Sequence, residues 1–208
     1  MTILSDHEIK DRCIPEAGEL LYGAPMISPY FEESVRYITD IPHGDRKVLS
    51  FGQSSYGYDV RLDNEFKIFS NINSGIIDPK RLDPETLVDG KLKVDEYGDK
   101  YVILPPHSYL LGKTMEYFKV PRDIMIVCLG KSSYARAGII VNVTPIEPGF
   151  EGNVVIEISN STPLPAKIYS EEGISQFLFF QGNAECETSY ADRDGKYMNQ
   201  TSIQLPFA

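Results

Sequence analysis

From Tyr58 onward the chain runs in short segments that alternate apolar with polar residues or are wholly apolar, and turn signals separate them. Tyr58, Val60 and Leu62 alternate with polar residues in the first segment. Alternation with a period of two is typical of a half-buried β-strand. Further candidate strands cover residues 66–68, 101–104, 109–118, 124–129, 139–143, 154–159, 166–169 and 174–180. Many short strands between turns that contain Pro or Gly predict a sandwich or a barrel.

The rest of the chain predicts little regular structure. Ser5 and Glu8 have capping-box spacing, so we expect a short helix over residues 5–12. Residues 13–50 are rich in Pro and Gly without a clean period, which predicts an irregular region with one strand near 35–38. Within residues 130–138, a Ser N-cap candidate and a terminal Gly predict one or two helical turns.

The tail, about 186–208, is too polar to form core, so it is either disordered or a segment that closes over a ligand. The length of 208 residues fits one domain, and we assign residues 1–208 to it.

Charge and cysteine content narrow the class of protein. With a net charge of −10, the chain is a poor candidate for binding nucleic acid, which needs a basic face. Three distant cysteines form no C-x-x-C pair, which argues against a disulfide framework and for a reducing compartment. No apolar run reaches the roughly 18 residues that span a bilayer, and the N-terminus does not look like a signal peptide. We therefore expect a soluble cytoplasmic protein.

One carboxylate interrupts an apolar strand. In N-V-V-I-E-I-S, Val154, Ile156 and Ile158 share one face, and Val155 and Glu157 share the other. Composition alone favours a solvated face of an edge strand. If that face lines a cavity instead, burial raises the pKa of Glu157 and suits it to proton transfer.

Two cationic segments suggest a phosphate ligand. Lys131, Ser132, Ser133 and Arg136 fall within one turn, whose helix start would favour an anion. The tail concentrates tyrosines and cations, among them Tyr190, Arg193, Lys196 and Tyr197. Taken alone, either segment is more simply explained as an ordinary solvated surface.

The sequence contains no recognisable set of zinc ligands. Zinc-dependent nucleobase deaminases need H-x-E followed by P-C-x-x-C. His7, His43 and His107 are isolated, and no paired cysteines exist, so we expect no catalytic zinc. A Walker loop, a dinucleotide-binding glycine motif and a G-x-S-x-G elbow are absent as well.

Taken in order, several segments resemble the deoxycytidine triphosphate (dCTP) deaminase family, whose relatives are the trimeric deoxyuridine triphosphatases (dUTPases). They include S-S-Y-G-Y-D-V-R-L, G-K-S-S-Y-A-R-A-G and V-N-V-T-P-I-E-P-G-F-E-G, and they lie at residues 54–62, 130–138, 141–152, 154–157, 164–169, 173–176 and 190–200. The resemblance covers most of the chain. It implies a distorted β-barrel or jelly roll of the dUTPase-like type, with a few short helices. It also implies a homotrimer with active sites between subunits.

The implied activity is zinc-independent hydrolysis of dCTP to dUTP and ammonia, a step of pyrimidine deoxynucleotide biosynthesis. Glu157 would shuttle protons, Arg136 would orient that carboxylate, and Ser132 would hold the attacking water. The implied substrate contacts are Lys131, Ser133, Tyr190, Lys196 and Gln200 for the phosphates and their closing tail, Val155 and Ile156 for the base, Glu147 and Phe150 for the sugar, and Gln176. Mg²⁺ is implied on the substrate's phosphates and on no protein ligand.

Two alternatives remain open at this point. A bifunctional enzyme would also cleave the triphosphate, which gives dUMP and pyrophosphate. A non-catalytic barrel would bind nucleotides as a sensor or scaffold. Inhibition by dTTP occurs in the family, and nothing in the sequence tests it.

Overall fold

The computed structural model describes residues 1–14, 24–40, 44–72, 75–142 and 144–206. Within these ranges the regular structure is mostly strand, and the helical elements are α1 (Asp6–Asp11), α2 (Ser132–Ala135) and a 3-10 turn (Pro84–Thr86). The strands are β1 (Thr2–Ile3), β2 (Ile27–Ser28), β3 (Val35–Asp40), β4 (Gly44–Ser54), β5 (Gly57–Phe69), β6 (Leu87–Asp89), β7 (Lys93–Val94), β8 (Lys100–Leu104), β9 (Tyr109–Lys119), β10 (Ile124–Gly130), β11 (Ile139–Val141), β12 (Pro145–Ile146), β13 (Glu151–Asn160), β14 (Ala166–Tyr169) and β15 (Gly173–Gln181). The predicted mainly β fold is confirmed.

The strands predicted from alternation and apolar runs are all present, with small shifts at their ends. The segments predicted at 58–62 and 66–68 form one continuous strand, β5, and β13 begins three residues earlier than predicted, at Glu151. The strand predicted over 139–143 ends at Val141, and Val143 lies outside the described residues. The predicted N-terminal helix is confirmed: the Ser5 N–H donates to Glu8 Oε2 at 2.8 Å, as the capping box requires.

The main sheet curls into a half-closed barrel. Its strands follow the order β11-β13-β9-β5-β15-β10-β12, so β11 and β12 lie at opposite ends. Only residues 142–144 separate these two strands in sequence, and four Cα steps reach at most about 14 Å. The sheet must therefore bend until its ends approach each other. Consistent with this, a Cβ built on Gly130 of β10 would lie 3.7 Å from the Val141 Cβ of β11.

Alternation along β13 sets the direction of the carboxylate. Val154, Ile156 and Ile158 are buried in the core, whereas Val155 and Glu157 point to the other face. Burying one such aliphatic side chain stabilises the fold by roughly 1.5–3 kcal/mol. A slip of one residue would expose all three and bury the carboxylate, so the register of β13 is strongly specified.

The N-terminal region contains more strand than predicted. The expectation that residues 13–50 are irregular is wrong for their last third, where β3 and β4 form an antiparallel hairpin. Residues outside the hairpin pack against it. The Arg61 guanidinium of β5 lies 4.8 Å from the ring centroid of Phe51, which belongs to β4, and 4.7 Å from that of Phe31. Residues 15–23 and 41–43 lie outside the described ranges.

A buried carboxylate, Glu172, joins β4 to the turn before β15. Its Oε2 accepts a hydrogen bond from the Leu49 N–H at 2.7 Å, and its Oε1 lies 3.5 Å from Nη1 of Arg46, which also pairs with Asp99. Burial raises the pKa of Glu172 to about 7, although the Leu49 hydrogen bond opposes the change. Near neutral pH the folded protein therefore holds a proton here that an exposed glutamate would release.

The tail packs against the barrel. The Asn199 N–H donates to the Glu151 carbonyl at 2.7 Å, and the Asn153 N–H donates to the Gln200 carbonyl at 2.9 Å. Ile203 is 7% exposed and packs in a small apolar cluster with Leu87 and Leu111. Main-chain hydrogen bonds to β13 thus hold a segment whose composition offers few apolar groups for burial.

Across the described ranges, no helix combines the length and the apolar character needed to cross a membrane.

Candidate active site

A cavity of about 270 Å³ lies on the outer face of β13, under the tail. Its lining combines one strand face, the turn after β12 and the end of the chain. The lining residues are Tyr109, Leu111, Thr144, Pro145, Ile146, Glu147, Phe150, Val154, Val155, Glu157, Tyr190, Tyr197, Gln200, Gln204 and Pro206. Six of the residues predicted from the sequence are among them: Glu147, Phe150, Val155, Glu157, Tyr190 and Gln200.

Glu157 faces this cavity without a counter-ion. In the part of the chain that the structure describes, its carboxylate forms neither an ion pair nor a side-chain hydrogen bond. Burial raises the pKa of Glu157 above its ordinary value, and a backbone hydrogen bond only partly opposes the change. A half-buried, unpaired carboxyl group beside a cavity can exchange a proton with a ligand.

The main chain of β13 has an open edge beside Glu157. The Asn142 N–H donates to the Glu157 carbonyl at 3.0 Å, so the backbone groups of Glu157 point towards β11. Those of Val155, two residues away, point the same way. Because β11 ends at Val141, they extend beyond the end of their neighbouring strand. The Ile156 groups point towards β9 instead, so the predicted base contact fits Val155 better than Ile156.

Aromatic residues form one wall of the cavity. The Phe150 ring lies 6.0 Å from that of Tyr190, with 53° between their planes. The Tyr190 N–H donates to the Pro148 carbonyl at 2.8 Å, and the Tyr190 hydroxyl accepts from the Tyr197 N–H at 3.0 Å. These contacts hold the tail against the turn that follows β12.

Polar groups of the tail and that turn complete the rim. Glu147 forms an ion pair with Arg193 of the tail. Gln200 is 5% exposed, and its Nε2 donates to the Asn153 carbonyl at 2.8 Å. Its Oε1 has no partner within the described ranges. Lys196, predicted as a phosphate contact, is exposed and does not line the cavity.

A second polar cluster lies at the start of α2. The Lys131 ammonium pairs with Asp59 of β5, and both side chains are mostly buried. Gln176 belongs to β15, which lies between β5 and β10 in the sheet. It stands opposite Asp59, and its Nε2 donates to Ser54 Oγ at 2.9 Å. Burial raises the pKa of Asp59, and Lys131 opposes the change. Lys131, rather than the predicted serine, is the N-cap residue of α2.

Among the described residues, no hydrogen bond or ion pair joins the two clusters within one chain. Asn142 is the neighbour of Glu157, and Ile139 lies three residues earlier, on the order of 10 Å along the strand. Arg136 precedes Ile139 by three more residues and is exposed, as are Ser132 and Ser133. No hydrogen bond or ion pair between Arg136 and Glu157 occurs among the described residues.

Several lining or neighbouring residues were not predicted as site residues. Tyr109 and Leu111 belong to β9, and Gln204 and Pro206 to the last described residues. The pairing of β9 with β13 brings Tyr109 here, and a single sequence does not reveal that pairing. Asp59 stands within the motif at 54–62, which was a usable signal.

No group of three or more His, Cys, Asp or Glu side chains that could hold a metal ion occurs in the described part of the chain.

A family model and the sequences of known relatives agree on the family. A family model described as dCTP deaminase-like matches residues 32–182. The dCTP deaminase of Rickettsia typhi is 53% identical over 206 residues, 99% of each chain, and that of Rickettsia akari is 52% identical with the same coverage. A solved 2′-deoxycytidine 5′-triphosphate deaminase from Agrobacterium tumefaciens is 18% identical, with a TM-score of 0.49. The match covers 88% of this chain, which spans about half (48%) of that one.

The fold and the cavity define a mainly β protein with a partly polar cavity on the outer face of its sheet. The family model and the full-length relatives go further: this chain belongs to the dCTP deaminase family.

Proposed function

We propose that this chain deaminates dCTP to dUTP and ammonia, with Glu157 as the residue that moves the protons. The observation that carries the proposal is the position of Glu157: a half-buried carboxylate, without a counter-ion among the described residues, on the wall of a cavity of nucleoside size. The identity of the substrate is inferred from the full-length relatives named dCTP deaminase.

One carboxylate suffices for every proton transfer of this reaction. Ionised Glu157 takes a proton from water as the water oxygen bonds to C4 of cytosine, and it passes that proton to N3. It then takes the proton of the new C4 hydroxyl and gives it to the amino group, which leaves as ammonia when the C4–N bond breaks. A pKa raised towards the working pH suits a group that acts alternately as base and acid.

Binding of the nucleotide follows from the lining. The open main-chain edge at Val155 faces the base, Phe150 and Glu147 face the sugar, and the tail closes over the phosphates. Lys131 and Ser133 supply further phosphate contacts, since ammonium and hydroxyl groups are suitable donors to phosphate oxygens. Mg²⁺ is held by the phosphates themselves, whose charge it neutralises.

We also propose that each active site is shared between two chains of a homotrimer. Arg136, Ser132 and Ser133 are exposed, and among the described residues none of them forms a hydrogen bond or an ion pair with the Glu157 of its own chain. A neighbouring copy would bring its α2 turn over the cavity, so that Arg136 orients Glu157 and Ser132 holds the attacking water. A cationic partner in a desolvated site favours the ionised carboxylate that the first step requires.

The cytoplasm is the proposed location. Cys13, Cys128 and Cys186 are all free thiols, which supports a reducing compartment.

The decisive experiment compares Glu157→Gln with the wild type. Ammonia release from dCTP, with Mg²⁺ and phenanthroline present, should fall at least about 100-fold in the variant while nucleotide binding persists. Glu151→Gln is the matched control, because Glu151 lies on the same strand but contacts Lys119 and Tyr117 outside the cavity. Near wild-type turnover by a folded Glu157→Gln protein would exclude the proposed role, and loss of wild-type activity to the chelator would exclude zinc independence.

Chromatography of the products from the same assay separates the two enzyme alternatives. We expect dUTP. Release of dUMP and pyrophosphate would assign the second, triphosphate-cleaving activity.

A further inference from the structure

Tyr109 is a cavity residue to which neither the family motifs nor the reaction steps assign a role. It opens β9 and lies opposite Ser159 of β13, and Leu111 lies opposite Glu157. Tyr109 and Glu157 are therefore diagonal neighbours on one face of the sheet. Such pairs lie about 7–8 Å apart at their Cα atoms, which is within reach of an aromatic side chain. Both residues line the same cavity.

The Tyr109 hydroxyl is available and uncharged. Among the described residues it has no hydrogen-bond partner, whereas the Tyr190 hydroxyl accepts from the Tyr197 N–H. Burial raises the pKa of Tyr109 well above its ordinary value, and the charge of Glu157 raises it further. At working pH, Tyr109 thus presents a neutral O–H donor to a cavity that contains an unpaired carboxylate.

The cations near Glu157 on this face are already paired. Lys113, its other diagonal neighbour on β9, is held by Asp63, and Lys67 of β5 is held by Asp89. The remaining titratable groups that face Glu157 or share its cavity are Cys128 of β10, Tyr190 and Tyr197 of the tail, and Glu147. Cys128 is buried in the core, and Glu147 pairs with Arg193. On β9, the strand that pairs with β13, Tyr109 is therefore the side chain near Glu157 whose hydrogen-bond donor has no partner among the described residues.

We propose that Tyr109 is a positioning residue for Glu157, whose ionised carboxylate accepts a hydrogen bond from the Tyr109 hydroxyl when substrate fills the cavity. The inference rests on the proposed function of Glu157. No direct hydrogen bond joins the two side chains in the structure, and active-site hydrogen bonds often form fully only with substrate bound. The hydroxyl would offset part of the cost that the apolar cavity imposes on the charged form of the base.

The sign of the effect follows from the form that is stabilised. A donor to the carboxylate lowers the pKa of Glu157, so its removal raises that pKa. Because the first step needs the ionised form and the hydrogen bond forms with substrate bound, the acid limb of kcat, which reports the enzyme–substrate complex, should move to higher pH in Tyr109→Phe by at least about half a unit. Below the limb, kcat should then fall about threefold more than on the plateau.

Tyr117→Phe is the matched control. Tyr117 belongs to the same strand and donates to a carboxylate, Glu151 Oε1, at 3.1 Å, but it does not line the cavity. Its acid limb should coincide with that of the wild type. A Tyr109→Phe profile that falls equally at every pH, with its limb unmoved, would overturn the proposal, since a purely structural role gives that result.

A titration followed by nuclear magnetic resonance keeps the inference separate from the proposed activity. The Glu157 side-chain carbon signal, assigned by its loss in Glu157→Gln, should titrate at higher pH in Tyr109→Phe than in the wild type when both are saturated with nucleotide, whether or not dCTP is turned over. If Tyr109→Phe does not fold, the wild type provides the test: the Tyr109 ring signal should respond to ionisation of Glu157, and Glu157→Gln should abolish the response. Absence of that response would overturn the inference and leave the role of Glu157 to its own experiment.

Discussion

Mixing two inactive variants should restore activity if neighbouring chains share each active site. Glu157 and Arg136 are the two residues to separate, because one lies on the cavity wall and the other on the exposed α2 turn of the same chain. Glu157→Gln removes the proton carrier, and Arg136→Gln removes its proposed partner. Each variant alone should be nearly inactive and should still form trimers.

The expected recovery follows from the symmetry of a cyclic trimer. A site is complete when its Glu157 comes from an Arg136→Gln chain and its Arg136 from a Glu157→Gln chain. In an equal, random mixture each condition holds for about half of the chains, so about a quarter of all sites are complete. Ammonia release should therefore return to about 25% of the wild-type rate. If each active site lay within one chain, the mixture would recover no activity.

Two measurements make the result decisive. Native mass spectrometry should detect mixed trimers before the assay, so that a lack of exchange is not mistaken for a lack of rescue. The control mixes Glu157→Gln with the double variant Glu157→Gln, Arg136→Gln, which can form no complete site. Background activity in verified mixed trimers would refute the shared site, and an active Arg136→Gln protein would refute the role of Arg136.

Two further predictions concern stability and the tail. Because burial raises the pKa of Glu172 to about 7 from the 4.5 of an unperturbed group, the folded state binds the extra proton and stability falls as pH rises through this window. Glu172→Gln should remove up to about 3 kcal/mol of this pH-dependent loss of folding stability. The Tm of the variant should therefore change less between pH 5 and 8 than the Tm of the wild type. Parallel Tm curves for the two proteins would contradict this prediction. Truncation before Tyr190 should weaken substrate binding, lower turnover and also lower Tm, since it removes buried Gln200 and Ile203, yet leave the trimer intact. Full activity after truncation would show that the tail takes no part in catalysis. Equal proteolysis of the wild-type tail with and without a non-hydrolysable dCTP analogue would show that it does not close over the nucleotide.

Local patterns predicted most of the barrel and missed the parts that depend on distant contacts. Alternation located β13 and set the outward direction of Glu157, because burial of Val154, Ile156 and Ile158 fixes the register. In the β3–β4 hairpin the strand predicted near 35–38 is present as β3, whereas β4 escaped prediction, since residues far along the chain, such as Glu172, hold it in place. Its buried and exposed positions do not alternate cleanly.

The same division applies to the candidate site. Residues within contiguous motifs, such as Glu147 and Phe150, could be predicted because the motif carries them together. Asp59 as the partner of Lys131 requires β5, β15 and β10 to be neighbours, which is a property of the topology. Tyr109 requires the pairing of β9 with β13.

The early end of β11 has a consequence for how this site can change. It leaves the main-chain groups of Val155 beyond the end of β11, where in the proposed function they read the base, and every amino acid except proline carries the same main-chain groups. Substitution at position 155 therefore alters the shape of the cavity wall but not its pattern of donor and acceptor. Point mutations at this position would then leave the choice between pyrimidines unchanged. A changed preference for the base would require an insertion or deletion that moves the strand itself.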